Sequence, residues 1–167
     1  MTFKIDVTDM SWLDEQNDNG EDLCLHGHTT ALIGTKKLEY DATVSATALY
    51  LLKSLTENHI INEDNQMLPC CGFFLIADEA LENVTIAGCN NGIDWTILHE
   101  GENIKLILED GSETVVPLEQ YKKEVFQFAD KVEAFYKSSL PRKLPKDEFD
   151  RNGYITFWKE WHRRRTK

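Results

Sequence analysis

Residues 83–116, NVTIAGCNNGIDWTILHEGENIKLILEDGSETVV, decide the fold that the sequence predicts. They contain four short segments of alternating apolar and polar residues, at 84–88, 93–99, 104–109 and 113–116. Asn91-Gly92 and Asp110-Gly111 stand between segments, and these dipeptides readily adopt the positive φ angles of tight hairpin turns. The stretch therefore predicts an antiparallel meander of four strands.

The alternation within the meander also predicts which side chains face the core. Successive side chains of a strand point to opposite faces of the sheet. Ile93, Trp95 and Ile97 should therefore share the buried face. Asp94 and Thr96 should point toward solvent.

The segment after the meander predicts the clearest helix of the chain. Pro117 suits the first turn of a helix, where its missing N–H costs nothing. Beyond it, apolar residues recur at steps of three and four: Leu118, Tyr121, Val125, Phe128, Val132 and Phe135. Such a stripe should cover the apolar face of the sheet.

The remaining segments complete an α+β architecture. Short strands are predicted at 3–7, 23–33 and 38–44, and the unbroken apolar run CCGFFLIA, 70–77, suits a strand buried on both faces. A helix is predicted over 46–58 with Ser45 as its N-cap. Another is predicted over 152–164, with Asp150 or Asn152 as N-cap and with Ile155, Trp158 and Trp161 on its packed face. We expect an antiparallel sheet, the meander 83–116 plus the N-terminal strands, with about three helices mainly on one face, in a single domain over 1–167.

Composition limits the class of protein. The formal net charge is −11, but residues 142–167 carry nine cations against four carboxylates, so an acidic body ends in a basic tail. No apolar run is long enough to cross a membrane. The first residues lack the pattern of a secretory leader, which predicts a cytoplasmic protein whose four cysteines are reduced.

An acidic loop at 14–22, DEQNDNGED, is the candidate partner-binding segment. It has no apolar anchor and should be a mobile surface loop. Its carboxylates would attract a basic protein and repel nucleic acid and anionic membranes. The residues are Asp14, Glu15, Asp18, Glu21 and Asp22. The sequence thus predicts a small acidic binding or inhibitory protein, similar in profile to the immunity proteins that neutralise basic toxins.

The stretch CLHGHTT, 24–30, supports an alternative function as an enzyme or metalloprotein. On a strand, Cys24, His26 and His28 would share one face, and thiolate and imidazole are zinc or copper ligands. Parallel side chains about 7 Å apart form a poor cage, however, and a fourth ligand must come from elsewhere. The adjacent Cys70 and Cys71 would diverge on a strand. In the alternative interpretation, Cys24, His26 and His28 lie on the solvent-exposed face of a half-buried strand and bind no metal.

Catalysis by a cysteine would need a base in contact with the thiol. Cys24 with His26, or Cys89 with His99, could form such a pair. A site assembled from distant residues would draw on Cys24, His26, His28, Asp94, His99 and Glu100. The common signatures of nucleotide binding and hydrolysis are absent from the sequence, and no cofactor is predicted.

Two features of the C-terminal region have competing interpretations. Glu148, Asp150 and Asn152 resemble the start of an EF-hand loop, but Lys159 stands where that family requires a bidentate carboxylate. The final WKEWHRRRTK mixes aromatic residues with cations as nucleic-acid binders do. Cations at a helix C-terminus are also favoured by the helix dipole, and we expect this tail to fold onto the acidic body.

Overall fold

The computed structural model describes residues 2–61, 64–71 and 74–166, and over these ranges the chain forms eight strands and three helices. Their bounds are β1 Phe3–Ser11, β2 His26–Ile33, β3 Lys36–Thr43, α1 Val44–Ser54, β4 Phe74–Ala77, β5 Val84–Ala87, β6 Thr96–Glu100, β7 Asn103–Ile107, β8 Glu113–Pro117, α2 Leu118–Ser138 and α3 Glu148–Arg165. All strand pairs are antiparallel, which confirms the α+β prediction. Among the described helices, none has the length and apolar character needed to span a bilayer.

The N-terminal strands form a sheet of their own with the order β1-β2-β3, so the prediction that they extend the meander is wrong. Phe3, Ile5 and Val7 of β1 are buried while the residues between them are exposed, the alternation expected of a sheet with one face on the core. The second strand begins at His26, three residues later than predicted, so Cys24 lies before it. Gly34, with φ of +63°, forms the turn between β2 and β3.

The predicted meander is confirmed for three of its four strands. Strands β6, β7 and β8 pair in sequence, and Ile97, Ile104 and Leu106 are fully buried on their inner face. The first predicted segment does not join them, because β5 pairs with the preceding strand β4 to form a separate hairpin. The prediction of a four-stranded meander is wrong at this point.

The segment that follows α1 covers the face of the meander that was expected to be exposed to solvent. Backbone bridges join His59 to Ile97 and Leu68 to Ile93. The side chain of Asp94 is therefore only 4% exposed, and Thr96 accepts a hydrogen bond from the N–H of Ile61. The predicted solvent exposure of Asp94 and Thr96 is wrong because this segment packs over them.

The long helix α2 packs as its periodicity predicts. Val125 is fully buried and Phe128 is 2% exposed, in one cluster with β1 and α1. The ring of Phe3 lies 4.7 Å from that of Tyr121. The helix therefore covers the apolar face of the N-terminal sheet.

The other two helices differ from prediction at their starts. Helix α1 begins at Val44, so Ser45 lies inside it and accepts a hydrogen bond from the N–H of Leu25 instead of capping the helix. Helix α3 begins four residues early, with Asp147 as the N-cap. Its packed face contains Tyr154, Phe157 and Trp161, whereas Ile155 is 47% exposed.

The hairpin of β4 and β5 differs most from prediction. The run 70–77 is not a strand buried on both faces: the strand begins at Phe74, and that side chain is 64% exposed. Gly72 and Phe73 of this run, like residues 62 and 63, lie outside the described residues. Cys70 and Cys89 form a disulfide at the open end of the hairpin, so the prediction that all four cysteines are reduced is wrong for these two.

Candidate functional site

The acidic loop is tied to the segment that connects α2 and α3. Trp12, at the start of the loop, is buried against Tyr136 and donates a hydrogen bond of 3.0 Å to Ser139. The guanidinium of Arg142 lies 3.8 Å from the centre of the Trp12 ring. Gly20 accepts a backbone hydrogen bond from Lys143. Contacts with the connector between α2 and α3 therefore hold the loop in place, although the loop has no apolar residues of its own.

The five predicted partner-binding carboxylates have different surroundings. Asp18 forms two hydrogen bonds with Arg142, whose guanidinium holds the pKa of that carboxyl below its usual value. Asp22 accepts the N–H groups of Leu13 and Cys24, and Asp14 accepts those of residues 16 and 17. Glu15 and Glu21 are exposed. Three of the five carboxylates therefore shape the loop, and two face solvent.

The loop forms one wall of a groove of about 280 Å³, which we name the acidic groove. Its other walls come from β4 and from the first turn of α3. The lining residues are Glu21, Asp22, Leu23, Cys24, Phe74, Leu75, Pro145 and Asp150. The groove thus combines apolar side chains with three carboxylates.

The start of α3 is held against β4 by a close backbone approach. Gly153 lies over the carbonyl of Leu75, where any Cβ would overlap the oxygen. This contact brings Asp150, one turn earlier in the helix, to the groove. The glycine therefore places the third carboxylate of the acidic groove.

Two larger clefts differ from the acidic groove in their charge. A cleft of about 490 Å³ between α1, α2 and α3 is lined by Glu57 and Glu119 together with Lys122, Arg163 and Arg164. Another, of about 650 Å³ beside β1 and α2, is lined by two carboxylates and three lysines. Among the described residues, no cationic side chain lines the acidic groove itself. Two cations contact its lining residues, however, because Arg142 donates to the backbone carbonyl of Asp22 and Arg151 donates to that of Pro145.

The basic tail folds onto the body, as expected. Lys159 and Arg163 bond to Glu82, Arg164 bonds to Glu57 and Glu160, and Arg165 bonds to Asp130. Their charges are therefore engaged within the chain. Glu148, Asp150 and Asn152 lie inside α3 and not in a loop, so the EF-hand resemblance is wrong.

The Cys24, His26 and His28 stretch is not brought together as a ligand set. Cys24 is buried, and burial raises the pKa of its thiol to about 12, which disfavours the thiolate that binds metal. His28 bonds to Asp41 at 2.8 Å and lies 3.5 Å from Glu39. These carboxylates raise the pKa of His28. Metal binding here stays a prediction.

The other candidate catalytic residues have separate partners. Asp94 lies 2.7 Å from Nε2 of His59, a residue that the sequence reasoning missed. The side chain of His99 bonds to the carbonyl of Ser54, and Glu100 bonds to Lys105. Cys89 is in the disulfide and is not a free thiol. The enzyme alternative therefore stays a prediction.

A different cysteine cluster is the best match to a metal site within the ranges that the structure describes. The sulfurs of Cys70, Cys71 and Cys89 all lie within 4.8 Å of one another. The expected divergence of Cys70 and Cys71 is wrong, because neither residue lies on a strand and their sulfurs are 3.8 Å apart. Three thiolates could hold a thiophilic ion, but two of these sulfurs are bonded to each other here.

The sequence reasoning also missed Phe74 and the role of Asp150 in the groove. The sequence around Phe74 is an unbroken apolar run, and such a run predicts a buried strand and not an exposed binding residue. Comparison of the chain with protein-family models, with curated proteins and with solved structures finds no match. The function must therefore be inferred from the geometry of the chain itself.

Proposed function

We propose that this chain is a binding protein that recognises a basic protein partner, and that the acidic groove is its docking surface. One observation supports the proposal: Glu21, Asp22 and Asp150 line one groove together with the exposed Phe74, and the described lining residues include no cation. Exposed aromatic residues are enriched at protein interfaces, and the neighbouring carboxylates would select a basic partner.

The size of the groove favours a side chain of a partner over a free small molecule. Ligand pockets usually measure about 300–1,000 Å³ and enclose most of their ligand. The acidic groove, at about 280 Å³, lies at the lower limit of that range, and its Phe74 is 64% exposed, which suits one inserted side chain better than an enclosed ligand. A lysine or arginine side chain could place its aliphatic stem on Phe74 and its charge beside Glu21, because both residues bury their stems against apolar surface.

The physical roles within the groove would differ. Burial of a phenylalanine contributes about 1.5–3 kcal/mol, so Phe74 would supply affinity. The carboxylates would mainly accelerate encounter and select a basic partner, and added salt would screen them. Binding should therefore weaken as salt concentration rises.

We further propose that binding inhibits the activity of the basic partner. The acidic composition is similar to that of immunity proteins, and a partner held by its basic surface could not offer that surface to another anionic ligand. The cytoplasmic location expected from the sequence stays a prediction, and the Cys70–Cys89 disulfide favours an oxidising compartment instead. Trapping of thiols in intact cells would test the location, since cytoplasmic thiols are kept largely reduced.

Selection of peptides from a random display library on the immobilised full chain tests the proposal without a known partner. We expect enrichment of lysine or arginine next to apolar residues, and loss of that enrichment with Glu21→Lys and with Phe74→Ala. Glu109→Lys is the matched control, because it makes the same charge change at an exposed carboxylate outside the groove. Enrichment of acidic peptides, or equal enrichment on Glu21→Lys, would contradict the proposal.

A further inference from the structure

Three cysteines meet at the open end of the β4–β5 hairpin. Cys70 and Cys71 precede β4, and Cys89 follows β5. Cys70 and Cys89 are bonded, and the sulfur of Cys71 lies 3.0 Å from that of Cys89 and 3.8 Å from that of Cys70. A third sulfur is thus in contact with the disulfide.

The backbone holds Cys71 in this position. The N–H of Cys89 donates a hydrogen bond of 2.9 Å to the sulfur of Cys71. Gly88 permits the approach, because any Cβ at that residue would overlap the carbonyl of Cys71. The backbone of the hairpin therefore holds the sulfur of Cys71 near that of Cys89.

The three sulfurs are also accessible, unlike the fourth cysteine of the chain. Cys89 is exposed and Cys71 is partly exposed. Cys24 is 6% exposed and lies outside the cluster. Thiol chemistry should therefore concentrate at the hairpin.

We propose that Cys70, Cys71 and Cys89 form a thiol–disulfide exchange site in which Cys89 alternates between two partners. The sulfurs of Cys70 and Cys71 lie 3.8 Å apart and therefore not on opposite sides of the Cys89 sulfur. Rotation of the Cys71 side chain must first bring its thiolate, its proton lost to a solvent base, in line with the Cys70–Cys89 bond, and the thiolate then attacks the sulfur of Cys89. The Cys71–Cys89 bond forms as the Cys70–Cys89 bond breaks, and the bonding electron pair leaves on the sulfur of Cys70, which then takes a proton. The step is an isomerisation and consumes neither oxidant nor reductant.

The exchange moves the cross-link by one residue along the chain. Because Cys70 and Cys71 both precede β4, either disulfide closes the hairpin that carries Phe74. The sulfur of Cys71 can attack only while one disulfide is present, so the site acts in the oxidised chain. This inference rests on the proximity of the three sulfurs and does not depend on the proposed docking function.

The variants Cys70→Ser and Cys71→Ser test the site when both are equilibrated in the same glutathione redox buffer. We expect each variant to form one disulfide, because each keeps Cys89 and one neighbouring cysteine. The equilibrium constants for forming the two disulfides should lie within about tenfold of each other, or about 1.4 kcal/mol. Alkylation under denaturing conditions counts the remaining thiols. Formation of the bond in Cys71→Ser but not in Cys70→Ser would overturn the proposal.

The unmodified chain provides a second measurement that does not depend on how the variants fold. After acid quenching, tandem mass spectrometry with cleavage between residues 70 and 71 distinguishes the two disulfides. We expect both isomers, and detection of Cys70–Cys89 alone after prolonged incubation at neutral pH would overturn the proposal. Protection of Cys24 from alkylation reports that each sample is folded, and Cys24→Ser is the control that leaves the cluster intact.

Discussion

Arg142 holds Asp18 through two hydrogen bonds of 2.9 Å and 2.7 Å, although the residues lie 124 positions apart in the chain. The same guanidinium stacks on Trp12. One side chain thereby fixes the acidic loop to the connector between α2 and α3. The wall of the acidic groove depends on this contact.

Asp18→Asn should lower stability in a pH-dependent way. The pKa of Asp18 lies below its ordinary value of 3.8, chiefly because of the hydrogen bonds from Arg142. The carboxylate therefore stabilises the fold above that value, and its contribution disappears as the pH falls through the folded-state pKa. Urea unfolding from neutral to acidic pH should show a lower midpoint for the variant at neutral pH.

The acidic end of the pH series is an internal control for Asp18→Asn. The midpoints of Asp18→Asn and the unchanged protein should converge in acid, where both side chains are neutral. Glu15→Gln, at an exposed position of the same loop, should leave the midpoint unchanged at every pH. A constant difference across the pH range would show that the charge of Asp18 is not the cause.

Glu160→Gln should be strongly destabilising. Glu160 is fully buried, accepts the N–H of Val84 at 2.7 Å and bonds to Arg164 at 2.6 Å, with Lys53 at 3.7 Å. Removing its charge leaves two cations with a neutral partner, and breaking a buried pair costs roughly 3 kcal/mol. Chemical unfolding measures the loss of free energy.

Glu57→Gln is the matched control for Glu160→Gln. Glu57 bonds to the same Arg164, but its side chain is 55% exposed. Exposed ion pairs contribute at most about 1 kcal/mol. Equal losses for the two variants would contradict the role assigned to burial.

Gly153→Ala should destabilise the chain, against the usual preference of helices for alanine. At an ordinary interior position this change would stabilise a helix by about 1 kcal/mol. Here the new Cβ would overlap the carbonyl of Leu75 and push α3 away from β4. Thermal unfolding should show a lower midpoint for Gly153→Ala. Ile155→Ala, at an exposed position of the same helix, should change the midpoint little, and a raised midpoint for Gly153→Ala would refute the contact.

Local patterns predicted the elements that are stabilised by near neighbours. Val125 and Phe128 are buried because a regular stripe places them on one side of a long helix. The turn predicted at Asp110-Gly111 has a φ of +83° at the glycine, and Gly101, between β6 and β7, has a φ of +63°. Strands β6 to β8 therefore pair in order. These features depend on periodicity and turn chemistry within one continuous segment.

Contacts between distant segments could not be predicted from such patterns. Asp94 is buried because it contacts His59 of a distant loop, and Phe74 is exposed although the apolar run around it predicts burial. The acidic groove joins residues near 21, 74 and 150, and the cysteine cluster joins residues 70 and 89. No short stretch of sequence contains either site.

The central claim is that the acidic groove binds basic protein surface, and amide chemical-shift mapping of the full chain tests it most directly. The probes are a short peptide that alternates arginine with leucine and its counterpart with glutamate in place of arginine. The basic peptide should shift the amides of residues 21–24, 74, 75 and 150, and both Glu21→Lys and high salt should abolish these shifts. Equal shifts with the acidic peptide, or shifts confined to the cleft between α1 and α2, would contradict the claim.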